Sequence, residues 1–287
     1  MIRTTVTMLG VVLGLVGCAA PQYIPLSPEA AAKIKTVKAR SMVVQDEVIA
    51  KADPSLVSAA MGGGLIPALI DASITRARQE RLQTAMEAFY ATVEDYDFRA
   101  EYWPQLTKVL QEDYALKVVN IVTTPRTLSL KERQNITSSL KPDEGYLWLQ
   151  TDYYLSTDLR SLNVSTYANL LAKDQQFPVY KNRVTYQSAP VPDSGEQAAK
   201  AWATDNGKPF YDKLREGIRE TLAMLSLDIK PVKPAPATST KSNQVTVKYN
   251  FGEGAGSRKS MQGTLIERRG DRYVIRDAVG HLYSVLP

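Results

Sequence analysis

One cysteine and one histidine are the most reactive side chains in this sequence of 287 residues. Cys18 directly follows residues 8–17, an uncharged and mostly apolar run that comes soon after Arg3. A thiolate is a strong nucleophile, so a cysteine at this position suits covalent attachment of a group to the chain. The run is shorter than the roughly 20 residues that a membrane-spanning helix needs, and its length is typical of the apolar part of an export signal.

The stretch LVGC at residues 15–18 resembles the lipobox of bacterial lipoproteins, in which an aliphatic residue and a small pair precede the cysteine. The resemblance implies that residues 1–17 are removed as a signal peptide and that Cys18 becomes lipidated. Ala19, rather than Asp, follows the cysteine, which in this class of protein is typical of sorting to the outer membrane. The implied product faces the periplasm and is held to the membrane by its lipid.

Three further stretches carry a second resemblance. They are VQDE at 44–47, GGLIPALIDA at 63–72 and DYDFR at 95–99, and they are similar to a group of uncharacterised proteobacterial outer-membrane lipoproteins. The resemblance covers about residues 18–110. It implies the same location, and it brings no activity and no site residues with it.

The sequence lacks the residue sets on which most catalytic and metal sites depend. His281 is the only histidine, whereas catalytic triads need a histidine beside the nucleophile and zinc sites draw on several His and Cys ligands. In the Gly-rich run 252–260, Arg258 stands where a phosphate-binding loop needs a glycine before its lysine. We therefore predict that the protein binds no cofactor and no metal and is not an enzyme.

Carboxylates keep one catalytic alternative open. Asp95 and Asp97 lie close together in sequence, and Asp152 and Asp158 flank a pair of tyrosines. Two carboxylates are sufficient for glycoside hydrolysis without histidine. A cell-wall glycan hydrolase is therefore the first alternative function.

Charge is distributed unevenly along the chain, whose net charge is +5. Residues 230–243 carry three lysines and no acid, and residues 244–287 carry seven basic and four acidic side chains. A basic segment favours an anionic partner, which in the periplasm means an anionic envelope component or an envelope protein, and not nucleic acid. The candidate contacts in this segment are Arg258, Lys259, Arg268, Arg269 and Arg272.

The predicted fold class is α+β, with a mostly antiparallel sheet packed with helices and a small SH3-like all-β domain at the C-terminal end. The lipidated tether covers 18–32, the α+β body 33–229, a Pro-rich linker 230–243 and the small basic domain 244–287. A short apolar run rich in β-branched residues predicts a buried strand at 116–122. Alternation of apolar and polar residues predicts strands at 33–40 and 42–50, for which a helix is the alternative, and at 145–155, 158–171 and 179–188.

The last three of these strands are predicted to form an antiparallel meander with one solvent-exposed face. Their aromatic residues suit either recognition of a partner or ordinary cross-strand packing; they are Tyr146, Trp148, Tyr153, Tyr154, Tyr167, Tyr180 and Tyr186.

Helical spacing of apolar residues predicts helices over about 65–94 and 97–110, the second interrupted at Trp103-Pro104. A third helix is expected to start with a capping box between Ser194 and Gln197 and to break near 206–207.

The first hypothesis for function is a non-enzymatic, lipid-anchored module for interaction or assembly in the cell envelope. Besides the hydrolase, the other alternative is a component of an oligomeric secretion channel built around residues 56–74, whose Gly-rich stretch resembles a membrane-touching hairpin.

Overall fold

The computed structural model describes residues 23–50, 80, 84, 86–87, 89–94, 96–173, 175, 177–231, 243–250 and 258–287. The signal peptide, Cys18, Asp95, residues 56–74 and most of the linker lie outside these ranges, so the predictions about them stay predictions. Residues 80, 84, 86–87 and 89–93 are helical, within the helix predicted over 65–94.

Ten strands in the described residues form one mixed sheet. Their bounds are β1 Thr36–Met42, β2 Ile49–Ala50, β3 Val118–Thr124, β4 Glu144–Leu155, β5 Leu162–Ala172, β6 Tyr180–Gln187, β7 Gln244–Asn250, β8 Arg258–Arg269, β9 Arg272–Arg276 and β10 Leu282–Val285. The spatial order is β3-β1-β4-β5-β6-β10-β9-β8-β7, and β2 pairs with β4.

The pairing directions confirm an α+β fold with a mostly antiparallel sheet. Antiparallel ladders join β4 to β5 and β5 to β6, which is the predicted meander. A second antiparallel run joins β7, β8, β9 and β10 in turn. Parallel pairing places β1 between β3 and β4, joins β2 to β4, and links β10 to β6.

Four helices have bounds of α1 Pro28–Lys33, α2 Phe98–Glu112, α3 Leu130–Ser138 and α4 Glu196–Asp228. The predicted interruption of α2 at Trp103-Pro104 is wrong, because the helix continues through Pro104. Proline removes a single intrahelical hydrogen bond, and the buried side chains of Tyr102, Leu106 and Leu110 hold the helix on the sheet at helical spacing.

The prediction for the start of α4 is also wrong. Gly195, with φ of +61°, is the N-cap, and no side chain caps the helix, so the Ser194–Gln197 capping box does not form. The predicted break is confirmed, since residues 204–207 leave the helical conformation. Three of these residues have positive φ, and two of the three are not glycine, so the chain turns sharply there.

We call the sheet face that packs against α2 and α4 the inner face. It carries the main core, in which Trp202, Phe98 and Tyr153 are fully buried. Gly217 on α4 allows the helix to approach closely, because a Cβ atom there would lie 2.7 Å from Val164 Cγ2.

The opposite, outer face is not open to solvent along its whole length, which corrects the expectation of a fully exposed face. Asn163 and Ser165 on β5 are buried there. The reason is that the sheet curves until β7 lies over β5, where the Tyr249 hydroxyl is 3.4 Å from Asn163 Oδ1. Tyr167, nearer the other end of β5, remains 38% exposed.

The structure does not confirm a separate SH3-like domain at 244–287. The strands β7–β10 share a small hydrophobic cluster that includes Val247, Ile275 and Val285. However, β10 pairs with β6 of the body, and a second cluster joins Val184 of β6 to Leu282 of β10. The sheet is therefore continuous across the predicted linker.

Candidate binding groove on the outer sheet face

A groove of about 590 Å³ lies on the outer face between α3 and the sheet. Its walls come from α3 and from the loop that connects β5 to β6, and its floor from β4 and β5. The lining residues are Leu130, Arg133, Gln134, Thr137, Ser138, Trp148, Asn169, Leu171, Gln175 and Pro178.

The position of α3 follows from a strong helix start. Ser129 and Glu132 form a reciprocal capping box, and the Glu132 carboxylate also binds Arg126 at 2.7 Å. Hydrogen bonds from Arg126 and from the Ser129 backbone lower the pKa of Glu132 to about 2. The two ends of the helix are anchored to the outer face by Leu128 and Leu140, which are buried in a small hydrophobic cluster of their own.

The strand register shows which side chains lie beside one another on the outer face, in and around the groove. One row across the sheet contains Val122, Arg40, Trp148, Asn169 and Lys181, one residue from each neighbouring strand. With strands about 4.8 Å apart, this row spans roughly 19 Å.

The next row, two residues along each strand, contains Thr124, Met42, Gln150, Tyr167 and Arg183. Cations, amides and aromatic rings therefore alternate across the centre of the outer face.

Two arginines lie flat against aromatic rings at this surface. The Arg133 guanidinium carbon is 4.5 Å from the centre of the Trp148 ring, and that of Arg183 is 5.0 Å from the centre of the Tyr167 ring. Such cation–π contacts orient a guanidinium and leave its edge available for hydrogen bonds. Neither arginine, nor Arg40, forms an ion pair with a carboxylate in the described part of the chain.

Arg183 also lies beside hydroxyl groups. Its Nη2 is 3.3 Å from Ser165 Oγ and 3.4 Å from the Tyr154 hydroxyl. Burial raises the pKa of Tyr154, and it raises the pKa of Tyr283 to about 12. These phenols are therefore neutral at physiological pH and do not neutralise the Arg183 charge.

The five cations that the sequence predicts as candidate contacts differ in their burial and in their ion pairs. Arg272 is buried, with 5% of its side chain exposed, and its Nη1 binds Glu216 at 3.0 Å. Its Nε and Nη2 bind Ser284 at 2.9 and 2.7 Å. The donors of Arg272 therefore already bind groups within the protein, and little of its side chain is presented to a partner.

The other four cations differ among themselves. Arg269 is only 18% exposed and binds Glu220 and Glu267, so its charge is largely compensated. Arg268 is exposed and lies 4.9 Å above the Tyr273 ring. The side chains of Arg258 and Lys259 lie outside the described part of the chain, and only their backbone in β8 is seen.

Of the carboxylates considered for hydrolysis, the three that the structure describes lie in different places and do not meet in a cleft. Asp97 caps α2 by accepting from the Arg99 and Ala100 amides. Asp158 is buried in a turn, where it accepts from Ser156 at 2.6 Å. Asp152 lies on the outer face, opposite Ser165 of β5.

A smaller cavity, of about 230 Å³, is lined by the acidic residues Asp46, Glu47 and Glu94 among others. Asp46 is ion-paired with Arg99 there. His281 lies in the turn before β10, where Asp277 Oδ1 accepts from its amide at 2.9 Å.

Arg133 of the groove, and Arg40 and Arg183 on the sheet beside it, were missed at the sequence level because they are far apart in the chain. The strand register brings Arg40 and Arg183 to one face, and α3 places Arg133 over Trp148 on that face. The signal that was available is the Ser129-x-x-Glu132 pattern, which predicts the start of α3.

Among the described residues, no cluster of three or more His, Cys, Asp or Glu side chains suits a metal ion. No described helix has the length and apolar character needed to span a membrane.

Comparisons with known proteins add little to the geometry. No family model matches the chain, and no curated protein matches it. Among solved structures, it is similar to a hypothetical protein from Chlamydia trachomatis, with 11% identity and a TM-score of 0.29. The match covers 67% of this chain and 98% of that chain.

Proposed function

We propose that this protein is a lipid-anchored lipoprotein of the outer membrane that faces the periplasm and works as a non-enzymatic interaction module. The body holds a partner in the groove between α3 and the outer sheet face, and the lipid on Cys18 keeps the complex at the membrane. The sequence at residues 15–18 supports the anchor, and the groove supports the interaction.

The binding role is inferred from the types of side chain in the groove and from their lack of ion-pair partners among the described residues. The floor presents Trp148, Asn169 and Leu171, and Arg133 lies above it without an ion-pair partner among the described residues. No aspartate or glutamate is among the described residues that line this groove. A concave surface with aromatic, amide and cationic groups and no acid pair suits recognition rather than glycoside hydrolysis.

Within this module, we propose that β7–β10 form a small curved β unit of the SH3-like kind predicted from the sequence. Its own cluster, which includes Val247 and Ile275, supports this view. The unit is fused to the body through β10 and β6.

In-cell photocrosslinking tests the proposal. A photoreactive residue replaces Leu130, which lines the groove and is 64% exposed. The control places the same residue at Val279, which is 53% exposed in the turn before β10. The proposal expects an envelope protein to be captured from position 130, and not from 279, in the outer-membrane fraction. The proposal would be contradicted if all of the protein were found in the soluble fraction, or if positions 130 and 279 captured partners equally.

A further inference from the structure

Most of the unused hydrogen-bonding groups on the described part of the outer face are of one chemical kind. Besides the Tyr146 hydroxyl, four buried nitrogen atoms on this face lack a hydrogen-bond partner among the described residues: Arg40 Nε, Arg133 Nε, Arg183 Nε and Trp148 Nε1. Each of them carries an N–H and donates only. Buried polar groups in folded proteins nearly always have partners, so this surface is suited to a ligand that supplies acceptors.

Three of the four donors are positively charged. We call Arg40, Arg133 and Arg183 the arginine strip. Arg40 and Trp148 are direct neighbours across β1 and β4, Arg133 lies over Trp148, and Arg183 is in the next row. Guanidinium groups bind carboxylates and phosphates through paired hydrogen bonds. A ligand that complements the strip is therefore rich in acceptors and negatively charged.

The surroundings of the strip decide between classes of anion. Sugar rings bind proteins largely by lying on open aromatic faces, but here Arg133 and Arg183 already cover a face of Trp148 and of Tyr167. Two large apolar side chains are exposed beside the groove, Leu130 at 64% and Phe177 at 73%. Leu130 is part of the α3 wall, and Phe177 precedes Pro178 of the opposite wall. A ligand that satisfies both features has carboxylates at its centre and apolar groups at its ends.

We propose that the groove binds an extended acidic segment of a protein partner, with Asp or Glu carboxylates on the arginine strip and flanking apolar side chains on Leu130 and Phe177. This inference rests on the proposed function, since it names the class of partner that the interaction module holds. A short acidic segment in this position lies across the sheet between α3 and the β5–β6 loop.

Binding of a synthetic peptide to the purified mature protein tests the proposal by calorimetry. The probe is a short peptide with aspartates and glutamates at its centre and a leucine and a phenylalanine at its ends. The control peptide has asparagine and glutamine in place of the acids. We expect the acidic peptide to bind, with an affinity that falls as salt is added, and the amide peptide not to bind.

The site is located by comparing two variants, each of which removes one positive charge. Arg133→Gln is expected to weaken binding of the acidic peptide by about tenfold to a hundredfold, since it removes a charge-assisted contact. Arg268→Gln is the control, because Arg268 is exposed in the β8–β9 hairpin and is not among the residues that line the groove, and we expect a change below about threefold. Circular dichroism confirms that both variants are folded.

Equal binding of the two peptides, equal affinities of the two variants, or no binding of the acidic peptide would overturn the inference. Binding of a carboxylated polysaccharide or of anionic lipid vesicles at the strip, without the peptide, would overturn it in favour of that class. If the peptide fails while crosslinking from position 130 still captures a partner, the proposed function stands and only the ligand class is wrong.

Discussion

Replacement of Arg272 by alanine provides the sharpest test of how the C-terminal strands are attached. Arg272 starts β9, and its guanidinium reaches three places: the Glu216 carboxylate on α4, Ser284 on β10 and the Gln187 carbonyl at the end of β6. It also lies 4.4 Å from the centre of the Tyr186 ring. A single side chain therefore joins the helical layer, the body of the sheet and the last strand.

The expected loss of stability is worked from the protein groups that lose their contact with Arg272. Breaking a buried ion pair by removal of one partner typically costs about 3–5 kcal/mol. Glu216 keeps 23% of its side chain exposed and regains some hydration, which reduces the cost. The carbonyls of Gln187 and Ser284 also lose a charged donor, and a hydrogen bond to a charged group contributes about 1.5–3 kcal/mol. We expect the free energy of unfolding to fall by about 3–5 kcal/mol.

Urea denaturation of the mature chain measures this change. With a slope of about 3 kcal/mol/M, the midpoint falls by roughly 1–2 M. The matched control is Arg268→Ala, which removes an exposed arginine from the same hairpin, and its expected cost is below about 1 kcal/mol. Equal midpoints for the two variants would refute the structural role assigned to Arg272.

Three other outcomes are expected. Gly217→Ala destabilises the protein by about 1–3 kcal/mol in the same urea assay, because the new methyl group overpacks against Val164; an unchanged or higher midpoint would contradict this packing. The ionised form of Glu132 stabilises the start of α3, so this contribution is present above pH 4.5 and is lost as the pH falls towards about 2. The protection of the α3 N-terminal amides, measured as exchange relative to the intrinsic rate at each pH, should fall over that range, and in Glu132→Gln this protection should be low and independent of pH. Cys18→Ser should move the protein from the membrane fraction to the soluble fraction, and persistence at the membrane would rule out the lipid as the anchor.

The elements of the body could be predicted from local sequence, because their periodicity is strong. The alternation in β5 and the helical spacing of Tyr102, Leu106 and Leu110 have one straightforward interpretation each. The helix was predicted to break at Pro104 because local rules count a missing hydrogen bond and do not weigh the burial of a whole helix face against it.

The outer face could not be predicted, because its burial depends on contacts between distant parts of the chain. From local sequence, Asn163 and Ser165 are expected to face solvent from a strand. In the structure, Tyr249 lies above this part of the strand and contacts Asn163. From local sequence, Arg272 is expected to be an exposed cation in a basic hairpin. In the structure, it donates a hydrogen bond to Glu216 of α4. Similarly, the local pattern of 282–285 identifies a strand, but it does not indicate that this strand pairs with β6.

The position of β10 has a consequence for the order in which the molecule assembles. This strand is synthesised last of the ten, yet it lies between β6 and β9 and has neighbours on both sides. A nascent chain that ends before Leu282 carries β6 and β9 with free edges and has no strand to bridge them. Completion of the described sheet therefore waits until β10 has been synthesised and has paired with both strands.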